Sequence, residues 1–141
     1  MMKQSRGIRN NNPGNIDYNK NNNWRGQIGI ETSAINPRFA KFDTPENGIR
    51  ALAKLLLNYQ RLHGLKTVRE IINRWAPPVE NITSAYVKAV AAACEVNADE
   101  VVYLRDRKLL KRMVVAIIKH ENGYQPYSDA VVTDGVERGL S

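Results

Sequence analysis

The feature that most restricts the fold is an apolar run at helical spacing that ends on a glycine. Leu109, Leu110, Met113, Val114, Ile117 and Ile118 recur at the i, i+3, i+4 interval of one buried helical face. The run passes through Lys119-His120-Glu121-Asn122 and stops at Gly123, with Pro126 close behind, a common C-terminal signal. Glu121 therefore stands where a core helix runs out, in company with Tyr124 and Tyr127. A carboxyl group held against apolar and aromatic groups loses hydration, which favours the protonated form that a general acid needs near neutral pH. The competing reading is a solvated charge in a last helical turn, where the helix dipole disfavours Glu.

The rest of the chain divides at Asp43. Residues 1–43 carry little helical periodicity and are crowded with Asn, Gly and Pro, residues that form Asx turns and tolerate left-handed backbone. Loops are expected there, with short extended pieces at Gln27–Ile30 and Arg38–Phe42. Beyond it, Asp43 or Thr44 caps a helix with Pro45 in its first position, and Gly64 ends it. Thr67-Val68-Arg69-Glu70 is a capping box that opens a helix through Trp75, stopped by Pro77-Pro78. A third helix starts at Asn81 or Thr83 and ends near Glu95, a fourth spans roughly 106–120, and a last one covers 128–136. With 141 residues and no internal repeat or linker, the chain is expected to form one domain, a loop and short-strand lobe over 1–43 and a helical lobe over 44–136.

Composition removes several chemistries. One cysteine, Cys94, excludes an intramolecular disulfide and packs best on an apolar helical face. Two histidines without zinc spacing make a poor metal set, so no metal is expected. No GxxxxGK[ST], GxGxxG or GxSxG element occurs, so neither a nucleotide cofactor nor a serine triad is supported, and no cofactor is expected. The N-terminus holds no apolar run of the kind that makes a signal peptide or a membrane span. Synthesis in a bacterial host cytoplasm is the expectation. The net charge of +7 favours polyanionic surroundings, whether nucleic acid, a bacterial envelope or acidic partners.

Two segments suit ligand contact. Arg9-Asn10-Asn11-Asn12-Pro13-Gly14-Asn15-Ile16 carries paired amide donors and acceptors that fit sugar hydroxyls and N-acetyl groups, or that hold the loop's own turns. Trp24, in the polar N-terminal region, is the better candidate for stacking, since Trp75 fits a core position where helices meet. Arg105, Arg107, Lys108, Lys111 and Arg112 line the outer face of the fourth helix, either as a solvated face or as a nucleic-acid patch.

Taken together, these segments resemble a family of tailed-phage and prophage virion-associated proteins. The likeness runs through Arg6-Gly7-Ile8-Arg9-Asn10-Asn11-Asn12-Pro13-Gly14-Asn15-Ile16, Trp24-Arg25-Gly26, Phe39-Ala40-Lys41-Phe42, Pro45-Glu46-Asn47-Gly48-Ile49-Arg50-Ala51, Arg74-Trp75-Ala76-Pro77-Pro78, Glu80-Asn81 and His120-Glu121-Asn122-Gly123. A fainter resemblance links the chain to bacterial glucosaminidases and lytic transglycosylases of the lysozyme superfamily. Those place a catalytic Glu at a helix end followed by Ser or Asn and Gly, upstream of segments that Asn12–Ile16, Trp24–Gly26 and Phe39–Phe42 resemble. Here Glu121-Asn122-Gly123 comes last, an order that a circular permutation reconciles.

The resemblance implies a mainly α (α+β), lysozyme-like domain with a small irregular or β N-terminal lobe, circularly permuted. It implies a phage-derived enzyme that cleaves peptidoglycan glycan strands as a lytic transglycosylase or muramidase, at genome entry or lysis, virion-associated or delivered to the periplasm and envelope. Glu121 would be the general acid and base, with Asn11, Asn12, Asn15, Trp24, Tyr124 and Tyr127 lining the sugar groove. A hydrolytic version wants a second carboxylate, for which Glu31, Asp43, Glu46 and Glu80 are the candidates. A non-enzymatic virion or tail component that binds other virion proteins is the alternative reading, and a basic nucleic-acid-binding module the third.

Overall fold

Thr44 opens the longest helix in the computed structural model of the chain, which describes residues 4–32, 34–76 and 79–141, leaving aside the side chains of Glu80 and Asn81. In chain order the elements are α1 (Arg6–Arg9), β1 (Gln27–Ile30), β2 (Ala40–Phe42), α2 (Pro45–His63), α3 (Val68–Trp75), α4 (Glu80–Cys94), α5 (Arg107–Asn122) and α6 (Asp129–Leu140). The architecture is mainly α with a small antiparallel sheet, as the sequence implies.

Local chemistry sets most boundaries. The Thr44 hydroxyl accepts the amide of Asn47, Thr67 that of Glu70, Asp106 those of Lys108 and Leu109, and Ser128 that of Val131. Each bond satisfies an amide that has no partner inside the first turn of its helix. Gly64 and Gly123 close α2 and α5 in left-handed backbone, at φ 64° and 81°.

Three boundaries differ from expectation. The N-terminal region contains α1, a four-residue helix too short to display a period. Helix α4 begins at Glu80, ahead of Asn81 and Thr83, because extended Val79 supplies the carbonyl that accepts the Thr83 amide at 2.9 Å. Helix α6 runs on to Leu140, since its later turns still pack on α2. The expected stop at Pro77-Pro78 lies outside the described residues; before it, α3 already ends on extended Ala76.

Buried side chains from β2 and from α2 through α6 join in one cluster, with Leu52, Leu56, Ile71, Ile72, Met113, Ile117 and Ile118 fully enclosed. Burying side chains of this size stabilises by about 1.5–3 kcal/mol each. Strands β1 and β2 pair Gln27 with Phe42, Gly29 with Lys41 and Ile30 with Ala40, with an irregularity between Gln27 and Gly29. That register turns Ala40 and Phe42 into the core and ties the N-terminal segment to the helices.

Helices α2 and α6 approach closely because α6 is smooth where they touch. A Cβ at Gly135 would fall 2.5 Å from Ile49 Cγ2, and one at Gly139 would fall 2.6 Å from Ala53 Cβ. Replacing Gly135 with Ala is therefore expected to destabilise the protein, although Ala gains up to about 1 kcal/mol of helix propensity. Overpacking against a branched side chain costs about 1–3 kcal/mol, so the midpoint of urea unfolding should fall. An unchanged or higher midpoint would show that the α2–α6 contact relaxes without cost.

Candidate functional site

The site is assembled by a loop that turns its amides inward. Asn12, fully buried, accepts the Ile16 amide at 3.0 Å and donates to the carbonyls of Ile16 and Ala40 at 3.0 and 2.9 Å. Asn11 donates to the Phe42 carbonyl, and Asn10 to Glu31. Asn11 and Asn15 adopt left-handed backbone, which Asn tolerates better than most residues. The loop lies against the second turn of α2, where a Cβ at position 48 would fall 1.8 Å from the Asn11 carbonyl oxygen. Glycine at position 48 is therefore a steric requirement of this seat.

The loop docks on the C-terminal end of α5. Asn122 accepts the Ser5 hydroxyl at 2.7 Å and donates to the carbonyls of Pro13 and Ile118 at 2.8 and 2.9 Å. One residue earlier, Glu121 Oε1 accepts Asn15 Nδ2 at 3.1 Å, and Oε2 accepts the Tyr86 hydroxyl at 2.9 Å. Tyr86 in turn accepts Trp75 Nε1 at 3.1 Å and stacks on His120 with ring centroids 3.7 Å apart. Burial, with the Glu121 carboxylate beside it, pushes the Tyr86 phenol far above its ordinary range, so it remains a neutral donor.

Glu121, half-buried, lines a cleft of about 570 Å³, within the ordinary size of a ligand site. Gly14, Asn15 and Ile16 of the loop, with Asp17 and Arg38, form one side, while Leu55, Tyr59 and Trp75 form an apolar and aromatic side. The Tyr59 and Trp75 rings lie 6.5 Å apart, tilted by 60°. Asp17 pairs with Arg38 at 2.6 Å, an ion pair that raises the Arg38 pKa, with the Glu121 charge as a lesser contributor.

Of the residues expected from the sequence, Glu121 and Asn15 meet in this cleft, while Asn11 and Asn12 stand behind it as loop supports. Trp24 does not line it. It is half-buried, packs against the core and lines a separate cavity, contrary to its expected place in open polar surroundings. Tyr124 and Tyr127 also lie off the cleft lining, and burial pushes the Tyr127 phenol up to about 12.

Among the proposed second carboxylates, Glu31, Asp43 and Glu46 do not line the cleft. Glu31 is buried and accepts from Arg6, Asn10 and the amides of Arg38 and Phe39. Asp43 accepts from Asn47, and Glu46 lies in the first turn of α2. The Glu80 side chain lies outside the described residues.

Sequence reasoning missed Tyr86, Asp17, Arg38 and Tyr59 as site residues. A periodic pattern gives Tyr86 and Tyr59 inward positions but not the groups they face. Burial pushes the Cys94 thiol up to about 11, which suits a packing role. On the α5 face, Arg107, Lys111 and Arg112 are engaged by Glu137, Asp129 and Glu95. Among the described residues no cluster of three or more His, Cys, Asp or Glu is arranged for a metal, and no helix is long and apolar enough to cross a membrane.

Fold and site thus define a mainly α protein whose N-terminal loop and α5 build a carboxylate-bearing cleft. No family model matches the chain. It is 36% identical to Protein P5 of Pseudoalteromonas phage PM2 over 138 residues, which cover 96% of this chain and 82% of that protein. The chain belongs to the family of that phage protein.

The Glu31 cluster makes stability depend on pH. The Arg6 guanidinium, ahead of the backbone amides and Asn10, holds the Glu31 carboxyl well below the usual carboxylate range. Its contribution is complete above about pH 4, the ordinary range, and is lost as pH falls through the folded-state value. Glu31→Gln should therefore unfold at lower urea than the wild type near neutral pH. The gap should narrow on acidification below about pH 4. A gap that stays constant with pH would assign the loss to packing instead of charge.

Proposed function

We propose that this phage protein cleaves the glycan strands of peptidoglycan, with Glu121 as the acid–base residue. The observation that carries the reading is the position of Glu121: on the wall of a ligand-sized cleft, each oxygen held by one neutral donor, facing Tyr59 and Trp75. Aromatic faces suit the apolar faces of sugar rings, and Asn19 and Asn22 on the rim offer amides to hydroxyl and N-acetyl groups. A helical body with a small sheet beside the cleft is also what a permuted lysozyme-like arrangement implies.

In this reading protonated Glu121 gives its proton to the glycosidic oxygen as the C–O bond breaks, and the departing sugar leaves as a neutral alcohol. The remaining sugar carries oxocarbenium character. Its own hydroxyl then attacks the anomeric carbon, and the Glu121 carboxylate takes the hydroxyl proton, closing the cycle of a lytic transglycosylase. A hydrolase would use water in that step, guided by a second carboxylate. Asp17, exposed on the cleft wall and paired with Arg38, fits that role better than Glu31, which is buried and does not line the cleft.

The second reading is a non-enzymatic component that assembles with other virion proteins. It is favoured by the same hydrogen bonds, because Glu121 and Asn122 also fasten the N-terminal loop to α5.

Glu121→Gln separates the two. Glutamine keeps the shape and can accept from Tyr86, and Asn15 can turn its unpartnered Oδ1 toward the new amide, so the fold should persist. It cannot transfer the proton, so release of muropeptides from purified sacculi, followed by mass spectrometry, should fall about 10²–10⁴-fold. Anhydro products from the wild type would identify transglycosylation, and Asp17→Asn should then leave most activity in place. Hydrolytic products, lost in Asp17→Asn, would identify the water-using route. No released sugar from wild-type protein, or full activity in Glu121→Gln, overturns the enzymatic reading.

A further inference from the structure

Two cavities on another side of the molecule meet at Lys54. The first, about 600 Å³, is lined by Trp24, Arg25, Gln27, Arg50 and Lys54, and the second, about 540 Å³, by Lys54, Asn58, Arg61 and Arg105. Among the described residues no Asp or Glu side chain lines either. Arg50, Lys54, Asn58 and Arg61 recur at the i, i+4, i+8, i+11 interval of one face of α2, so the two cavities form a furrow along that helix. From Arg50 to Arg61 the helix rises roughly 16 Å.

The cations of this furrow are gathered against their own repulsion. Lys54 is held below its ordinary pKa by desolvation and then by Arg50, Arg105, Arg25 and Arg61, and Arg50 by desolvation and Arg25. Lys54 donates to the main-chain oxygen of Ser141 at 2.8 Å. The outer face of α5 differs, because there three of the cations have carboxylate partners. The first cavity also collects buried polar atoms that have no partner among the described residues: the donors Trp24 Nε1 and Arg50 Nε, and the acceptor Gln27 Oε1.

We infer that this furrow binds the phosphodiester backbone of a single nucleic-acid strand. Its phosphates would lie along Arg50, Lys54 and Arg61, with Arg25 and Arg105 at the two ends. A strand fits better than a duplex or a membrane surface, because the charges sit in concave cavities that a strand can enter and a broad surface cannot. The site is separate from Glu121, so it stands whether or not the cleft is catalytic.

The probe is a fluorescein-labelled oligo-dT of about twelve nucleotides, read by fluorescence anisotropy from about 50 to 200 mM salt. Binding should weaken with salt, with a log–log slope of about 0.7 for each phosphate neutralised. Lys54→Gln/Arg61→Gln should weaken binding roughly tenfold at low salt and make the slope shallower by about 1.4. Lys88→Gln/Lys108→Gln removes the same charge outside the furrow and should change little, with thermal melts verifying that both variants fold. Equal weakening in both variants would reduce the effect to net charge and overturn the proposal. So would absence of binding at about 50 mM salt, tighter binding of the matching duplex, or furrow-dependent binding only to anionic phosphatidylglycerol vesicles.

Discussion

Everything in the cleft depends on the carboxamide of Asn122. It is the last residue of α5, and its three hydrogen bonds run to Ser5, to Pro13 and back to its own helix at Ile118. Chain segments more than a hundred residues apart are thereby joined by one planar group with both ends in use. Removing it would leave a loop carbonyl and a serine hydroxyl unpaired, at the usual cost of about 1–3 kcal/mol for each group that stays buried. The fit is tight: a Cβ at Gly7 would fall 2.6 Å from Asn122 Oδ1 and 2.8 Å from Asn15 Oδ1. Because Asn122 follows Glu121 directly, whatever fixes the loop on Asn122 also fixes the carboxylate in the cleft.

Behind that clasp, the loop is held by groups that never reach the cleft. Asn12 takes up the Ile16 amide and donates to the carbonyls of Ile16 and Ala40, beside the Ala40 amide that Ile16 also accepts, and so fastens the loop to β2. Glu31 draws together Arg6 from α1, Asn10 from the loop and the amides of Arg38 and Phe39 before β2. Arg38 is thus fixed through its amide by a buried carboxylate and through its guanidinium by Asp17 on the cleft. Burial of the one acid and exposure of the other follow from this division of labour, and the cleft inherits its charge pattern from it.

What the sequence made legible was local. Thr44, Thr67, Asp106 and Ser128 each cap a helix through an amide two or three residues away, so their roles can be read from spacing alone. The end of α5 was legible for the same reason, since Gly123 adopts the left-handed backbone that stops a helix. Of the two partners of Glu121, Asn15, 106 positions away, is expected beside it only through the resemblance, while Tyr86, 35 positions away, shows in the sequence as no more than an inward-facing residue. Trp24 misled because its neighbours in sequence are polar while its neighbours in space are core residues. Charge partners were hidden in the same sense. The five cations of the α5 region read either as a solvated face or as a patch, and the acids that engage three of them come from α6 and the end of α4, which spacing does not show. The three on α2 are spread over twelve residues and form no run in the sequence, yet among the described residues no side-chain acid lines their cavities.

Helix α2 serves three environments at once. Ile49, Leu52, Ala53 and Leu56 form its core stripe; Leu55 and Tyr59 line the cleft; Arg50, Lys54, Asn58 and Arg61 line the furrow. At 100° per residue the cleft and furrow stripes lie roughly 120° apart, one on each flank of the core stripe. A ligand in one therefore has no steric quarrel with a ligand in the other, and the two share only the backbone of the helix. That backbone is pinned on its core side by Gly135 and Gly139 of α6, and at its start by the Asn11 carbonyl seated on Gly48. The close contacts that make glycine obligatory at these positions keep α2 from rotating, and a rotation is the movement that would exchange cleft and furrow residues for core ones. Rigidity of this one helix is what allows two chemically unlike surfaces to be carried by a chain of this size.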